Sequence, residues 1–359
     1  MADKLRMGYV GCGFMAQKVH IPNLLLLDEA ELVGIAEVRP KLGRKVQERF
    51  RIPHLYSNHL ELARNADIQA VGVSGHFYGQ GEIAMDLLKA GKHVFMEKPM
   101  AISVEQAERI LDAERTSGKR VMVGYMKRYD AGNVFVKKLV DQFRQSGEMG
   151  QLRFVRNHGF CGDWTAGLDA PFETTDEKYP ETQPKYPAWL PPQHVNGYLG
   201  YLQQYTHNVN LVRWLLGAGG DVRVKAVELD RERGYFGVVV LEVAGVTTVI
   251  ESGAVAYHGW DEHTQLYFEG GWVKTDAPPL LLRGVPATVE VYRGNGPDKV
   301  FSQTFPAGGR EWSYKAEMRH FIECVRTGAP FRSPAPDTLE DVRTFEAIYR
   351  RYVEARGAC

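Results

Sequence analysis

The sequence predicts an α/β protein with two domains, the first built on a parallel sheet and the second on a larger, mostly antiparallel one. Its 359 residues correspond to two domains at about 150 residues each. Up to residue 125, short apolar segments alternate with amphipathic ones, as strands and helices do in a parallel sheet. Beyond that point the segments have the character of consecutive strands. We therefore expect one domain over 1–125 and an α+β domain over 126–359, on which helices within 312–356 pack.

The first domain contains five predicted strands, each a short apolar run. These are Arg6–Val10, Glu31–Ala36, Ala70–Ser74, His93–Met96 and Arg120–Tyr125. Helical periodicity connects most of them, and Gly118 ends a helix that contains Ala107 and Ile110. Parallel strands joined in this way need helices on both faces of the sheet.

The second domain contains six predicted strands with alternating or continuous apolar character. These are Asp221–Leu229, Tyr235–Val243, Val246–Val255, Thr264–Phe268, Trp272–Thr275 and Thr288–Tyr292. Ala244-Gly245 and Gly270-Gly271 are suited to tight hairpins between neighbouring strands. The sheet should therefore be largely antiparallel and open, and one of its faces must be covered by helices or by another subunit.

Two predicted helices of this domain have informative side-chain patterns. In the helix over Tyr201–Leu216 an apolar stripe opposes a polar, uncharged face made of Gln203, His207, Asn210 and Trp214. A solvent-facing side would normally carry charged residues, so this face indicates a cleft, although a buried histidine satisfied by neighbouring amides fits equally. The C-terminal helix is expected to start at a capping box of Asp337 and Glu340 and to bury one stripe. That stripe consists of Val342, Phe345, Tyr349 and Tyr352.

The composition excludes several classes of partner. Forty-four basic residues balance 44 acidic ones, so the overall charge favours neither nucleic acid nor an anionic membrane, and a small-molecule partner is expected. The apolar runs fall short of the roughly 18 residues that span a bilayer, and the first 30 residues lack the apolar core of a signal peptide. We therefore expect a cytoplasmic protein. The spacing of Cys12, Cys161, Cys324 and Cys359 suggests neither a metal site nor a disulfide framework.

A glycine-rich turn follows the first strand and predicts dinucleotide binding. Gly11, Gly13 and Ala16 have G-x-G-x-x-A spacing, with Phe14 and Met15 inside the motif. The first glycine permits a tight turn, the second lets a pyrophosphate approach a helix N-terminus, and the alanine allows close packing of helix on strand.

The end of the second strand bears on the choice of cofactor. Glu37 lies about 20 residues after the glycine turn, where a carboxylate can bind both ribose hydroxyls and repel a 2′-phosphate. This favours NAD, although Arg39 could instead accept the 2′-phosphate of NADP.

The ends of two later strands supply further candidates, because open α/β sheets bind ligands at the carboxyl ends of their strands. Lys98 lies in Glu97-Lys98-Pro99, directly after the strand His93–Met96. A basic and aromatic cluster that includes Tyr125, Lys127 and Arg128 ends the next strand and is expected to line the same cleft.

Three segments together resemble the Gfo/Idh/MocA oxidoreductases. They are the glycine turn, Ala90-Gly91-Lys92-His93-Val94 leading into Glu97-Lys98-Pro99, and the helix with His207 that ends in Trp214-Leu215-Leu216-Gly217. The resemblance covers essentially the whole chain and implies a Rossmann domain joined to a domain with an open sheet. It implies reversible oxidation of a hydroxyl on a sugar, glycoside or cyclitol, with Lys98 as the active-site lysine and His207 as the proton-transferring histidine. We expect a homodimer or homotetramer formed through the open sheet.

Two departures from the family pattern affect the site. Gln203 and Asn210 stand where family members often carry Asp on either side of the histidine, and neutral amides do not stabilise an imidazolium as carboxylates do. Ser74-Gly75 and Gln80 replace the usual Thr-Pro and a later His in a loop that flanks the cofactor in the family. With these departures noted, the expected cofactor contacts also include Ser74, Gly75, His76, Glu97 and Lys98, and the expected substrate contacts include Trp164, Gln203, Gln204 and His207.

An irregular, proline-rich segment precedes the histidine helix, over Cys161–Asn196. It concentrates Trp164, Tyr179, Tyr186 and Trp189, and aromatic rings pack well on the C–H faces of sugars. Its acidic residues are Asp163, Asp169, Glu173, Asp176, Glu177 and Glu181, against Lys178 and Lys185. This acidic excess would favour an amino sugar or aminocyclitol over a sugar phosphate, and a subunit contact with solvated acids is the alternative.

Taken with the family resemblance, these patterns predict an NAD-dependent dehydrogenase that acts on a secondary hydroxyl, or ketone, of a sugar, glycoside, amino sugar or cyclitol. In that reaction the ring carbon gives hydride to nicotinamide while His207 removes the hydroxyl proton and Lys98 hydrogen-bonds the oxygen. Two alternatives stay open. One is an NAD-dependent glycosidase that works by transient oxidation and elimination, and the other is a catalytically silent regulator that binds NAD and a sugar.

Overall fold

The computed structural model describes residues 4–165, 171–181, 183, 185–255, 259–306 and 311–357, which fall into two units. Unit 1 takes its described residues from 1–125, 170–187 and 314–342, and unit 2 from 126–169, 188–313 and 343–359. The division after Tyr125 coincides with the expected domain boundary. Asp169 and Cys359, named above, lie outside the described residues.

Unit 1 contains a six-stranded parallel sheet in the order β3-β2-β1-β4-β5-β6. The strands are β1 (Leu5–Val10), β2 (Ala30–Ala36), β3 (His54–Tyr56), β4 (Ala70–Val73), β5 (His93–Glu97) and β6 (Val121–Gly124). Apart from β3, these are the predicted strands with slightly shifted ends. β3 has three residues at the sheet edge, too few for an apolar pattern. The strand order reverses between β1 and β4, the position at which such sheets bind ligands.

Helices of unit 1 alternate with its strands. A π-helical turn (Ala16–His20) leads into α1 (Ile21–Leu25), followed by α2 (Pro40–Phe50), α3 (His59–Arg64), α4 (Gln80–Lys89) and α5 (Val104–Ser117). The α5 helix begins at Ser103, whose side chain accepts a hydrogen bond from the Gln106 amide, and ends at Gly118 with φ 67°. This end was predicted, because a left-handed residue that closes a helix is usually glycine.

The C-terminal helices do not belong to unit 2 alone, whereas the sequence predicted that helices within 312–356 pack on the second domain. The first, α8 (Ser313–Thr327), belongs almost entirely to unit 1, where the Phe321 ring lies 5.7 Å from that of Phe95 and Arg319 pairs with Glu29 at 2.6 Å. The second, α9 (Ala335–Gly357), begins in unit 1 and continues into unit 2.

The predicted capping box at the start of α9 is wrong. The helix already starts at Ala335, and the amide of Asp337 donates to the carbonyl of Pro334, so Asp337 lies in the first turn. The predicted apolar stripe is confirmed, because all four of its side chains are buried.

Unit 2 contains an eight-stranded sheet in the order β14-β13-β12-β11-β7-β10-β9-β8. The strands are β7 (Leu152–Cys161), β8 (Val222–Leu229), β9 (Gly237–Val243), β10 (Val246–Ala254), β11 (Asp261–Phe268), β12 (Gly271–Asp276), β13 (Thr288–Arg293) and β14 (Val300–Thr304). All neighbours are antiparallel except β7 and β10. The sequence pattern missed β14 and the central β7, in which Arg153, Arg156 and His158 interrupt the apolar character.

Helices α6 (Ala131–Ser146) and α7 (Val195–Leu216) pack on this sheet. The α7 helix begins before the predicted Tyr201, after a 3-10 turn over Pro192–His194. Its apolar stripe is buried as predicted, and most of its other side chains are buried as well. Among the described residues, no helix is both long and apolar enough to cross a bilayer.

Candidate functional site

The glycine turn of unit 1 has the geometry that a dinucleotide needs. Gly11 has φ 95°, its amide donates to the Ala36 carbonyl at 2.9 Å, and a Cβ there would lie 2.8 Å from the Ser74 carbonyl oxygen. A Cβ on Gly13 would meet nothing within 4 Å, so the turn borders open space. Ala16 is fully buried. An open turn of this kind is what a pyrophosphate needs in order to approach the backbone.

The carboxylate of Glu37 lies buried at the end of β2, beside this turn. It accepts hydrogen bonds from the Cys12 amide at 2.7 Å, from the Arg39 amide at 3.1 Å and from Arg39 Nε at 2.7 Å. Burial, and then the Glu37 charge, raise the pKa of the Cys12 thiol, which stays protonated. Glu37 and Arg39, the two residues that bear on cofactor choice, thus form an ion pair.

Lys98 follows β5 and is held through its backbone. The Gln80 side-chain amide donates to the carbonyls of Glu97 at 2.8 Å and Pro99 at 2.6 Å, one on each side of Lys98. The Glu97 carboxylate accepts the Lys98 amide at 3.1 Å. Sequence reasoning treated Gln80 only as a departure from the family pattern and missed its role. A buried amide in the first turn of α4 fixes the lysine that follows β5.

A buried cluster of acids and a histidine supports the same segment. Nε2 of His20 lies 2.7 Å from the Glu97 carboxylate. One ring nitrogen of His20 and one carboxylate oxygen each of Glu97 and Glu317 all lie within 4.8 Å of one another. Burial is the largest influence on Glu97 and opposes its ionisation, but the hydrogen bond and charge of His20 together with Lys98 outweigh it, so the pKa of Glu97 is lowered. Burial, reinforced by the Glu97 charge, raises the pKa of Glu317 well above its usual value. Glu97 is therefore the anion of the pair and Glu317 the neutral acid.

Unit 2 carries a second polar cluster, around α7. His207 is buried, and its neighbour Asn208 donates to the carboxylate of Glu262 at 3.2 Å and to the side-chain oxygen of Asn157 at 2.8 Å. The same Glu262 carboxylate pairs with Lys127 and accepts from Trp260 Nε1 at 3.2 Å. Asn157, Asn208, Lys127 and Glu262 are buried, and each of these four contacts another member of the cluster.

The predicted substrate residues differ in how much of them a substrate could reach. Gln203 is exposed, Gln204 is half-buried and donates to the Cys161 sulfur, and Trp164 is 41% exposed. By contrast, the side chain of Tyr125 packs in the core of unit 1. This position differs from the expected cleft lining, because a tyrosine at the end of a buried strand is covered on both faces.

Lys127 and Arg128 also differ from the expectation that they line an open cleft. Both follow Tyr125 in a 3-10 turn and are buried. Lys127 pairs with Glu262, and Arg128 Nε donates to the Asn210 side-chain oxygen at 2.7 Å. Buried cations need such partners, so their charges serve unit 2 itself.

The proline-rich segment is divided between the two units. Residues 171–181, which we name the strap, pack on unit 1, where the Phe172 ring meets Phe14 edge-on at 5.3 Å. Asp176 pairs with Lys41 at 3.1 Å and Glu173 with Arg49 at 3.4 Å, both on α2. Two of the six acids are therefore paired with bases of α2, which weakens the support that the acidic excess gave to a cationic substrate. Farther along, Trp189 donates to Glu346 at 2.9 Å within unit 2.

Comparisons with known proteins agree with this fold. Residues 5–125 match the sequence model of an oxidoreductase family with an NAD-binding Rossmann fold. The inositol 2-dehydrogenase of Burkholderia lata is 28% identical over 337 residues, which cover 90% of this chain and 87% of that protein.

Solved structures show the same architecture over the whole chain. The aldose-aldose oxidoreductase of Caulobacter crescentus has a TM-score of 0.74 at 24% identity and covers 98% of both chains. A 3-ketoreductase of Actinomadura kijaniata, solved with NADP and TDP-benzene, has a TM-score of 0.73 at 19% identity, over 97% of this chain and 98% of that one. The fold is thus an NAD(P)-binding Rossmann unit followed by a large open sheet.

Proposed function

We propose that this chain is an oxidoreductase of the Gfo/Idh/MocA family that acts on CH–OH groups, and that its substrate is a neutral cyclitol or sugar ring. The proposed reaction is hydride transfer between NAD and a secondary hydroxyl of the ring, or the matching ketone. The observation that carries it is Lys98, whose backbone is fixed by Gln80 and Glu97 at the carboxyl end of β5 in the cofactor-binding unit.

Two observations support a neutral ring. Asp176 and Glu173 of the strap are paired with bases of α2, so these two acids offer little charge to an amino sugar. Lys127 is paired with Glu262, so its charge is not available to a sugar phosphate. The inositol 2-dehydrogenase relative favours a cyclitol within this class.

The residues of this chain would divide the work as follows. The bound cofactor supplies the acceptor for the hydride that leaves the ring carbon. The Lys98 ammonium hydrogen-bonds the substrate oxygen and stabilises the negative charge that develops there, and His207 takes the hydroxyl proton. In the reverse direction His207 returns that proton to the oxygen of the ketone.

NAD is the proposed cofactor because Glu37 stands where the ribose hydroxyls would bind. Its carboxylate is held by the Cys12 amide, so it is already placed beside the glycine turn before any cofactor arrives. A carboxylate in this position accepts from ribose hydroxyls and repels a 2′-phosphate.

The test is NADH formation across a panel of cyclitols, sugars and glycosides, with wild type and the variants Lys98→Met and His207→Ala. We expect oxidation of at least one cyclitol or neutral sugar, and a loss in kcat of roughly 10²-fold or more in each variant, the usual scale for a positioned acid or base. NAD binding by calorimetry should stay close to wild type. Lys89→Met, at an exposed lysine on α4, is the matched control and should keep full activity.

Other outcomes would point away from the proposal. Release of an aglycone without net NADH would indicate the redox-assisted glycosidase instead. Binding of NAD and a sugar without turnover would indicate a regulator. Normal turnover by His207→Ala would remove the histidine from proton transfer.

We also propose that copies of this chain associate through the open sheet. Five adjacent strands each place an aromatic residue on the same row of one sheet face, opposite the buried side chains. The row consists of Phe154, Tyr267, Trp272, Tyr292 and Phe301. These rings are partly or fully exposed, and a contiguous apolar surface of this kind usually marks an interface.

A further inference from the structure

A carboxylate from the strap occupies the N-terminus of helix α2. The side chain of Arg39, the residue before the helix, makes no capping hydrogen bond, and Pro40 has no amide hydrogen. Lys41 and Leu42 therefore offer the first N–H groups of the helix. Their amides donate to Oε1 and Oε2 of Glu177, at 3.0 Å each.

Glu177 is held there as an anion. Thr175 donates its hydroxyl hydrogen to Glu177 Oε2 at 3.0 Å. Partial burial is the largest influence and opposes ionisation, but the Lys41 and Leu42 amides, the Thr175 hydroxyl and the Lys41 charge together outweigh it, so the pKa of Glu177 lies below its usual range. The positive end of a helix dipole favours a negative charge in this position.

The strap is anchored on both sides of this contact. Gln17, just after the glycine turn, donates to the Glu173 carbonyl at 3.0 Å and accepts the Glu173 amide at 2.7 Å. At the other end the Tyr179 ring lies 5.2 Å from the Arg39 guanidinium. These anchors keep Glu177 next to the Glu37–Arg39 pair at the end of β2.

This is the region that a 2′-phosphate must enter. In dinucleotide-binding domains an acidic residue at the end of the second strand takes the ribose hydroxyls, and a nearby arginine accommodates the 2′-phosphate of NADP. Here the guanidinium of Arg39 is already bound to Glu37, and the first amides of α2 are already bound to Glu177. A phosphate would meet two carboxylates in place of donors.

We propose that Glu177 is a specificity-determining residue, an internal anion that occupies the phosphate-binding end of α2 and restricts the enzyme to NAD. The proposal rests on the NAD-dependent function proposed above. It assigns to a segment far along the chain a discrimination that is usually attributed to the end of the second strand alone. Like-charge repulsion is a common means of rejecting the wrong ligand.

The experiment measures direct binding of NAD and NADP by calorimetry, at low ionic strength, for wild type and Glu177→Gln. Glutamine keeps the shape of the side chain and one acceptor but removes the charge. We expect NADP affinity to rise by roughly tenfold or more while NAD affinity changes by less than about threefold. Glu177→Ala should shift the ratio in the same direction, and thermal melting should show that both variants are folded.

Glu173→Gln is the matched control, because it removes the same charge from the same strap. Glu173 pairs with Arg49 at 3.4 Å and with Lys45 at 4.0 Å, away from the first amides of α2. Its NAD/NADP ratio should remain that of wild type.

The outcomes separate the two proposals. If wild type prefers NAD and Glu177→Gln leaves the ratio unchanged, Glu177 is not the determinant, while the NAD-dependent function stands. If Glu173→Gln shifts the ratio as far as Glu177→Gln does, general charge explains the effect and the site-specific role is wrong. If wild type binds neither dinucleotide, the proposed function itself fails.

Discussion

Removal of Lys127 should destabilise unit 2 strongly, because it leaves a buried carboxylate without its counter-charge. Lys127 and Glu262 are 7% and 3% exposed, respectively, as side chains. Removing one partner of a buried ion pair typically costs about 3–5 kcal/mol. Glu262 would keep its hydrogen bonds from Asn208 and Trp260, both at 3.2 Å, which places the expected loss toward the lower end of that range.

The assay is differential scanning calorimetry of Lys127→Met, followed by the double variant Lys127→Met/Glu262→Gln. For a unit of this size a loss of 3–5 kcal/mol corresponds to a fall in Tm of roughly 6–20 °C. The double variant removes both charges, so most of that loss should be recovered. Lys225→Met is the control, because Lys225 pairs with Glu242 at 3.1 Å on the exposed side of β8 and such surface pairs contribute about 0–1 kcal/mol.

Two results would refute this reasoning. One is a fall in Tm for Lys127→Met that is no larger than the small fall for Lys225→Met. The other is a double variant whose Tm is as low as that of Lys127→Met. The stable double variant also distinguishes the two roles considered for Lys127, which are the ion pair with Glu262 and contact with the substrate. If pairing with Glu262 is its whole role, the KM for the substrate should stay close to wild type, whereas a substrate ligand would show a raised KM.

Two further predictions concern the buried acids and the open sheet. Burial raises the pKa of Glu317. Above the usual glutamate pKa of about 4.3, the folded state therefore holds a proton that the unfolded chain has lost. The free energy of unfolding then falls by about 1.4 kcal/mol per pH unit until the pH reaches the pKa of the folded state. As the pH rises from 5 to 8, the Tm of Glu317→Gln should therefore fall less than the Tm of wild type. If the two Tm values change in parallel across that range, Glu317 is not protonated. Trp272→Glu places a charge in the middle of the aromatic row and should lower the molar mass measured by light scattering to that of a single chain, while Leu60→Glu on the exposed side of α3 should not. An unchanged mass for Trp272→Glu would exclude the row from the interface.

The sequence predicted those parts of the molecule whose physics is local. Gly11 and Gly13 are recognisable because the turn needs a positive φ and open space within a few residues. The end of α5 at Gly118 and the buried apolar stripe of α7 follow in the same way from helical spacing. Each of these features depends on residues that are neighbours along the chain. Residue type and the spacing of apolar residues are therefore sufficient to predict them.

Contacts between distant segments could not be predicted in this way. Glu177 caps α2 through the amide of Lys41, 136 residues earlier in the chain, and the counter-ion of Lys127 is Glu262, 135 residues later. The acidic residues of the strap resemble a solvated or substrate-facing group until the bases of α2 are known to lie against them. Residue type indicates that a buried charge needs a partner, but only the fold identifies that partner.

The surroundings of Lys98 in unit 1 and those of His207 in unit 2 are held by different forces, and this difference sets how substitutions in each unit should behave. In unit 1 the backbone around Lys98 is fixed by neutral hydrogen bonds from Gln80 and by the Glu97 carboxylate. A change at Gln80 alters position without altering net charge. In unit 2 the neighbours of His207 on α7 are held by a buried ion pair, through Asn208 and Glu262, and by the hydrogen bond from Arg128 to Asn210, an amide that stands where the family often has a carboxylate. Restoring a carboxylate at Asn210 would add a charge facing Arg128, so its effect would combine electrostatics with packing. Positional effects on hydride transfer are therefore best sought at Gln80, and electrostatic effects on proton transfer at Asn210.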